Sequence, residues 1–184
     1  MSKFFKKHFS NILFILIIGL LLYTPTRVYF LRLVSFSPSV INTEQQVTIQ
    51  KKSWLLKGLN TRDVNLNELE DKIIFISFWA TWCPPCKAEL PSIQELYNDY
   101  KDKVTFLFIT NEDWFKVSDF YTENNYNLPT YHSISSIPKE LESKTIPATF
   151  ILNKKGNIMI DKKGAANWNS ESVRKLLDES ITQN

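Results

Sequence analysis

The spacing of apolar residues divides the middle of the chain into a strand, a helix and a strand. Residues 73–77 and 104–110 are short, apolar and rich in β-branched side chains, as buried strands are. Between them, apolar residues recur at the three- and four-residue spacing of one helix face: Leu90, Ile93, Leu96, Tyr97 and Tyr100. This order of elements predicts a parallel βαβ crossover.

Shorter elements are predicted on either side of the crossover. In chain order they are strands within 47–56, a helical turn at 66–69, a helix over 114–121, an extended segment at 131–134, a helical turn at 138–142 and a last helix over about 170–181. Two apolar runs, 145–152 and 157–161, are joined by Asn-Lys-Lys-Gly and predict a β-hairpin. A chain of 184 residues without internal repeats suits one domain.

The first residues have the pattern of an export segment. Lys3, Lys6 and Lys7 precede an apolar run at 12–23, an order that places the N-terminus in the cytoplasm. The run is shorter than the roughly 20 residues that span a bilayer core, which suits a cleaved signal peptide. No convincing small-x-small cleavage site follows it, so we favour an uncleaved anchor over residues 1–23. Cleavage remains the alternative.

The region after this anchor divides into a tether and a domain. Residues 24–46 show no apolar period and are rich in Ser, Pro, Asn and Gln, as linkers are. We therefore predict a tether over 24–46 and a folded domain over 47–184.

Charge is distributed unevenly along the chain. The formal net charge is +3, but residues 1–40 contain five basic residues and no acidic one. The remainder carries 17 basic and 19 acidic residues, a net charge of −2. Because the basic excess belongs to the tail, nothing in the predicted domain favours nucleic-acid binding.

Cys83 and Cys86 are the only cysteines, and they lie where the predicted strand ends and the helix begins. A thiol at a helix N-terminus ionises readily, and a second thiol one turn away can displace a mixed disulfide. Pro84 suits the first helical turn. The Cys-x-x-Cys spacing therefore indicates redox chemistry. A zinc site would need about four ligands, and His8 and His132 are the only histidines.

The stretch around the cysteines carries a family resemblance. Residues 78–91 read Phe-Trp-Ala-Thr-Trp-Cys-Pro-Pro-Cys-Lys-Ala-Glu-Leu-Pro. This sequence resembles the active-site stretch of the TlpA/ResA-type thiol–disulfide oxidoreductases, membrane-tethered members of the thioredoxin superfamily, and the resemblance extends over residues 47–182. It implies a thioredoxin-like α/β fold in which a central mixed β-sheet is flanked by helices, with an N-terminal hairpin before the core and an N-terminal membrane anchor. It also implies a cis peptide bond at Ile146-Pro147, beside the cysteine pair.

The resemblance assigns roles to the residues of the motif. Cys83 is expected to be the nucleophile and Cys86 the resolving thiol, buried behind it. Trp82 is expected to flank the site, whereas Trp79 and Phe78 are expected in the core. Ile146 and Pro147 are expected to bind substrate, because a proline there removes an amide and turns the backbone of Ile146 towards an incoming chain.

Glu89 and Ser77 concern the movement of protons. Glu89 matches an acidic residue that ResA-like proteins keep near the site, where it tunes thiol pKa values or contacts substrate; a solvated helix carboxylate is the alternative. Many thioredoxins have a buried aspartate six residues before the first cysteine, and this chain has Ser77 there. Proton transfer from Cys86 then depends on Glu89, on water or on the substrate.

Pro84 and Pro85 suggest the direction of the reaction. Neither residue has an amide hydrogen, so fewer donors can stabilise the Cys83 thiolate than with most other dipeptides. A less stable thiolate means a less stable reduced form and a lower reduction potential, as in a reductase.

These features predict a thiol–disulfide oxidoreductase held in the inner (cytoplasmic) membrane by a single span, with its catalytic domain in the periplasm or an equivalent extracytoplasmic space. The expected partners are disulfide-containing exported proteins, apocytochrome c among them, and a membrane thiol electron donor. No cofactor is expected beyond the redox-active disulfide Cys83–Cys86, and no metal is expected.

Three other functions are weighed against this one. An oxidase of exported thiols would use the same dithiol at a higher potential. A redox-dependent peptide-binding module or chaperone would use the groove at Ile146 and Pro147. A thiol peroxidase of the peroxiredoxin branch is expected to have Pro-x-x-x-Thr-x-x-Cys, and Ala80 stands where that threonine would be.

Overall fold

The computed structural model describes residues 9, 11–16, 18–19, 28–32, 35–50 and 53–182. In these ranges a single sheet runs in the order β2-β1-β5-β4-β3-β6-β7. Its strands are β1 Leu55–Gly58, β2 Val64–Asn65, β3 Ile73–Phe78, β4 Val104–Ile109, β5 Thr130–Ser133, β6 Ala148–Leu152 and β7 Ile158–Lys163. The longer helices of the domain are α1 Pro84–Tyr100, α2 Trp114–Asn124 and α3 Glu171–Thr182.

The predicted α/β fold with a central mixed sheet is confirmed. Strands β3, β4 and β5 are mutually parallel, whereas β6 and β7 form the expected antiparallel hairpin on the other side of β3. Strands β1 and β2 form an N-terminal hairpin that pairs with β5. The sheet is therefore mixed, and its centre is the crossover β3-α1-β4 that the apolar spacing predicted.

Several element boundaries differ from the prediction, and the N-terminal hairpin differs most: β1 runs to Gly58 and β2 lies at Val64–Asn65, beyond the strands predicted within 47–56. Strand β6 begins at Ala148 rather than at residue 145, because a proline at 147 has no amide for the ladder. Helix α2 continues to Asn124 and ends at Asn125, whose φ of 56° is the left-handed conformation common at helix C-termini.

Side chains of β3 alternate between two core clusters. Ile73 and Phe75 belong to the first cluster, which also contains buried residues of α1, α2 and α3. Ile74 and Ile76 belong to the second cluster, together with residues of the N-terminal hairpin. Both sides of the central strand are thus buried, which holds the end of β3 in a fixed position.

Helix α1 contains a proline, Pro91, after its second turn. A proline cannot donate to the carbonyl four residues earlier, which leaves the Lys87 carbonyl free of its helical partner. The Arg32 Nη2 group donates to that oxygen at 3.4 Å. The N-terminal segment is thereby joined to the first turns of α1.

The described residues of the predicted tether lie along the domain. The amide of Ile41 donates to Met159 O at 2.8 Å, and the amide of Asn167 donates to Phe36 O at 3.1 Å. Ile41 also packs against the second core cluster. Residues 35–46 therefore contact β7 and the segment that follows it.

Most of the predicted anchor at 1–23, including Lys3, Lys6 and Lys7, lies outside the described residues. Residues 11–16 are helical and exposed. Within the described ranges, none of the helices combines the length and the apolar character that crossing a bilayer requires.

Candidate active site

The cysteine pair lies in the connection between β3 and α1. Because β3 and β4 are parallel, their carboxyl ends meet at the same edge of the sheet, and Trp79 N donates to Ile109 O at 3.0 Å there. On the other side of β3, Phe78 pairs with Ala148, which brings the residue before Ala148 beside the loop that follows Phe78. Loops after β3 and β4 and before β6 therefore surround the cysteines.

Cys83 and Cys86 are joined by a disulfide bond. Cys83 is the N-cap residue of α1, and its Sγ accepts a hydrogen bond from the Cys86 amide at 3.2 Å. Pro84 and Pro85 occupy the first helical positions, where an amide would have no partner within the helix. Cys86 is fully buried, and Cys83 is also nearly buried, with 3% of its surface exposed. The near burial of Cys83 in the disulfide form was not predicted.

The two tryptophans of the motif occupy different environments. Trp82 is 68% exposed next to Cys83. Trp79 is buried, and its ring stacks on Tyr121 with centroids 5.6 Å apart. Phe78 is half-buried and packs edge-on against Phe150 in the second core cluster.

Glu89 lies inside the protein rather than on a solvated face of α1. It is 1% exposed, so the alternative of a solvated carboxylate is wrong. Its Oε2 accepts hydrogen bonds from Trp168 Nε1 at 2.9 Å and from Ala166 N at 3.3 Å. Burial raises the pKa of the Glu89 carboxyl to about 8, although these hydrogen bonds and the charge of Lys162 act in the opposite direction. At neutral pH the carboxyl is mostly protonated.

The Ile146–Pro147 peptide bond is cis, as the resemblance implied. Pro147 O accepts a hydrogen bond from Gly164 N at 2.9 Å. The register of β3 with β6 places this bond beside the cysteine loop. Ile146 packs against the first core cluster, to which both cysteines belong.

Ser77 is buried, and its hydroxyl belongs to a pair. Its Oγ accepts a hydrogen bond from Thr149 Oγ1 at 3.0 Å, and the two residues are register partners on β3 and β6. Hydroxyl groups do not ionise near neutral pH. The position that carries an aspartate in many thioredoxins is therefore filled by a neutral pair.

Glu112 was not predicted as a residue of the site. Its carboxylate accepts hydrogen bonds from Thr81 N at 2.5 Å and from Thr81 Oγ1 at 2.8 Å. Its carbonyl accepts one from His132 Nε2 at 2.7 Å. Asp113 is the N-cap residue of α2, but its side chain makes no capping bond, while Glu112 holds the loop two residues before Cys83.

Residues 49–160 match the model of a family described as AhpC/TSA, which is more than half of the chain. The chain belongs to the AhpC/TSA family. It is 30% identical to sporulation thiol-disulfide oxidoreductase A of Bacillus subtilis (strain 168) over 143 residues, which cover 74% of this chain and 86% of that protein.

Two further comparisons also point to thiol–disulfide oxidoreductases of this type. The thiol-disulfide oxidoreductase ResA of Oceanobacillus iheyensis is 35% identical over 105 residues, 55% of each protein. The crystal structure of StoA from Bacillus subtilis is 28% identical, covers 73% of this chain and 99% of its own, and superposes with a TM-score of 0.56. This member of the AhpC/TSA family is thus a thioredoxin-like thiol–disulfide oxidoreductase.

The geometry of this AhpC/TSA family member suits dithiol chemistry. The site places two sulfur atoms at a helix N-terminus, a protonated carboxyl one turn further along α1 and an exposed indole at the rim. Within the described ranges, no group of three or more His, Cys, Asp or Glu side chains is arranged to hold a metal ion. The arrangement can break and form disulfides, and it carries a buried carboxyl three residues after Cys86 on the same helix.

Proposed function

We propose that this oxidoreductase reduces disulfides in exported proteins on the extracytoplasmic side of the membrane. The observation that carries the proposal is the environment of Cys83. At the start of α1, Pro84 and Pro85 have no amide hydrogen, and the Cys86 amide donates to the sulfur. A thiolate with few donors is less stable, which favours electron donation by the dithiol.

The reaction proceeds in two exchanges. The Cys83 thiolate attacks one sulfur of the substrate disulfide, forms a mixed disulfide and releases the other substrate sulfur, which takes a proton from solvent. Cys86 then loses its proton and attacks Cys83 Sγ, which forms the Cys83–Cys86 disulfide and releases the second substrate thiol. Two electrons and two protons pass to the substrate, and the protein ends oxidised.

Glu89 accepts the proton of Cys86 in the second exchange and then gives it to the departing substrate sulfur. It lies three residues after Cys86, a spacing that places two side chains on one face of a helix. A pKa of about 8 leaves usable fractions of both the acid and the carboxylate near neutral pH.

Trp82, Ile146 and Pro147 form the surface that receives the substrate. Trp82 offers an exposed aromatic side chain next to the nucleophile. The backbone of Ile146 pairs with an extended segment of the substrate as an additional strand does.

The location rests on the sequence of the N-terminal region. The proposed anchor at 1–23 holds the protein in the cytoplasmic membrane, residues 24–46 connect it to the domain at 47–184, and the domain lies in the periplasm or an equivalent space. Apocytochrome c is one substrate class that suits this location. A membrane thiol protein then returns the Cys83–Cys86 disulfide to the dithiol.

The direction is tested by the reduction potential of the full-length protein, equilibrated against glutathione and dithiothreitol buffers. We expect a value near that of thioredoxin, about −270 mV, or lower. A value near −120 mV would instead assign the protein as an oxidase of exported thiols.

The order of the two exchanges is tested by single serine variants. Cys86→Ser should trap a stable mixed disulfide with a disulfide-bonded protein substrate, because the resolving thiol is missing. Cys83→Ser should trap none. If both variants trap substrate equally, the assignment of nucleophile is wrong. Peptide binding retained when both cysteines are replaced would favour the binding-module alternative.

A further inference from the structure

The segment between β7 and α3, residues 164–168, encloses Glu89. The amide of Ala166 and the indole N–H of Trp168 both donate to Glu89 Oε2, at 3.3 and 2.9 Å. A second connection joins the backbones, because Trp168 N donates to Ser92 Oγ at 3.1 Å and that hydroxyl donates to Glu89 O at 2.8 Å. Trp168 is thus bonded to the carboxyl and, through Ser92, to the helical turn that carries it.

We propose that Trp168 is a positioning residue of the exchange reaction, which holds one oxygen of Glu89 so that the other faces the proton route from Cys86. The proposal rests on the proposed function, in which Glu89 moves that proton. Trp168 itself touches neither the substrate nor the sulfur atoms in this role.

The distribution of hydrogen bonds on the carboxyl supports this assignment. Both donors reach Oε2, whereas the buried Oε1 has no hydrogen-bond partner among the described residues. Buried polar atoms without partners are rare, because they lose the stabilisation that water gave them. A carboxyl fixed by one oxygen with the other unpaired is arranged to exchange a proton rather than to strengthen the core.

Packing alone does not explain the position of the indole nitrogen. Trp168 is fully buried, and its ring meets Phe75 edge-on with centroids 5.1 Å apart. Trp54 is equally buried, but its Nε1 donates to the Ser133 hydroxyl at 2.7 Å in the other core cluster. Trp54 therefore offers a matched control: a buried tryptophan with a hydrogen-bonded indole and no carboxyl partner.

A charged side chain influences the pKa of Glu89 in the oxidised protein. Lys162 on β7 favours the ionised carboxylate electrostatically. The Cys86 thiol, one turn earlier on α1, titrates only after the disulfide is reduced, so experiments on the oxidised protein separate its effect from that of Trp168.

The test compares Trp168→Phe with Trp54→Phe in the oxidised full-length protein. The titration of Glu89 is followed by NMR of the glutamate carboxyl carbons and assigned by its loss in Glu89→Gln. Phenylalanine keeps much of the ring but removes the donor, so the midpoint should rise by about one to two pH units. In the reduced protein, the pH profile of disulfide reduction should shift in the same direction. Trp54→Phe should leave both midpoints at their wild-type values.

A measurement on the wild-type protein guards against misfolding of the variant. The indole N–H resonance of Trp168 should follow pH with the midpoint of Glu89, and this dependence should vanish in Glu89→Gln. The indole resonance of Trp54 should not follow it. The proposal would be overturned if the chemical shift of the Trp168 indole N–H did not change as Glu89 titrates.

The outcomes also separate this proposal from the proposed function. If wild-type protein reduces no disulfide while Trp168 and Glu89 titrate together, the proposed function fails and the positioning role fails with it, although the hydrogen bond stands. If wild-type protein is active and Trp168→Phe leaves the pH profile unchanged, only the positioning role is refuted.

Discussion

Burial of Glu89 predicts an unusual dependence of stability on pH. The pKa of its carboxyl is raised from 4.5 to about 8 in the folded protein, mainly because burial disfavours the charged form. Between these values the folded state binds a proton that the unfolded state has lost. The contribution of Glu89 to the free energy of unfolding should therefore be highest below about pH 4.5. It should fall as pH rises and become constant again above about pH 8.

The magnitude follows from the size of the shift. A rise from 4.5 to about 8 corresponds to about 5 kcal/mol of unfolding free energy between the two plateaus, and to about 3 kcal/mol lost by pH 7. This is a large part of the roughly 5–15 kcal/mol that stabilises a typical domain. Glu89→Gln removes the ionisation but keeps an oxygen that can accept from Trp168 and Ala166. The variant should lose this pH dependence and exceed wild type in stability above about pH 8.

Denaturant unfolding of the oxidised protein across pH provides the assay, because an intact disulfide keeps the transition free of thiol chemistry. The control is Glu95→Gln, an exposed glutamate on the same helix. The difference in unfolding free energy between Glu95→Gln and wild type should stay nearly constant over the pH range in which the difference between Glu89→Gln and wild type changes. Parallel curves for wild type and Glu89→Gln would refute the reasoning, since they would mean that Glu89 ionises as readily in the folded as in the unfolded chain.

Two further predictions concern hydrogen bonds near the cysteines. Glu112→Gln removes the charge of a carboxylate that accepts hydrogen bonds from Thr81 N and Thr81 Oγ1. The variant should lower the free energy of unfolding by about 1–2 kcal/mol and slow disulfide reduction, with Asp113→Asn as the control. Ser77→Ala leaves the buried Thr149 hydroxyl without its acceptor and should cost about 1–3 kcal/mol in denaturant unfolding, part of which is recovered when Thr149→Val is added. Additive losses in the double variant would show that the two hydroxyls are not coupled.

The crossover and the cysteine site were predictable because their signals are local. The strand at 73–78, the helix that starts at Pro84 and the strand at 104–109 each carry their pattern within a few consecutive residues. The bond from Trp168 to Glu89 joins residues 79 positions apart, and those from Thr81 to Glu112 join residues 31 apart. Neither partner outside the motif lies in a periodic stretch that would have indicated a role.

The packing of residues 35–46 on the domain could not be predicted from the sequence, for a different reason. The backbone accounts for much of this contact, as in the bonds from Ile41 N to Met159 O and from Asn167 N to Phe36 O. Every residue other than proline has the same backbone donor and acceptor, so such bonds leave no mark on composition. A polar, aperiodic segment therefore has the same sequence pattern whether it makes no contact with the domain or packs along its surface.

Glu89, the only buried carboxyl side chain among the described residues, connects the stability argument with the proposed function. The fold offers Ser77 and Glu89 near the dithiol, and the chain places a neutral hydroxyl pair at the first and an acid at the second. A glutamine at 89 could accept from Trp168 and Ala166 with its one side-chain oxygen and would lose no stability on ionisation, so these two hydrogen bonds by themselves do not require a glutamate. Natural sequences depart from the features that favour folding mainly at functional sites. The carboxyl also leaves Oε1 without a partner among the described residues, on the helix that carries Cys86, and the proton transfer that we propose for Glu89 would account for a glutamate at this position.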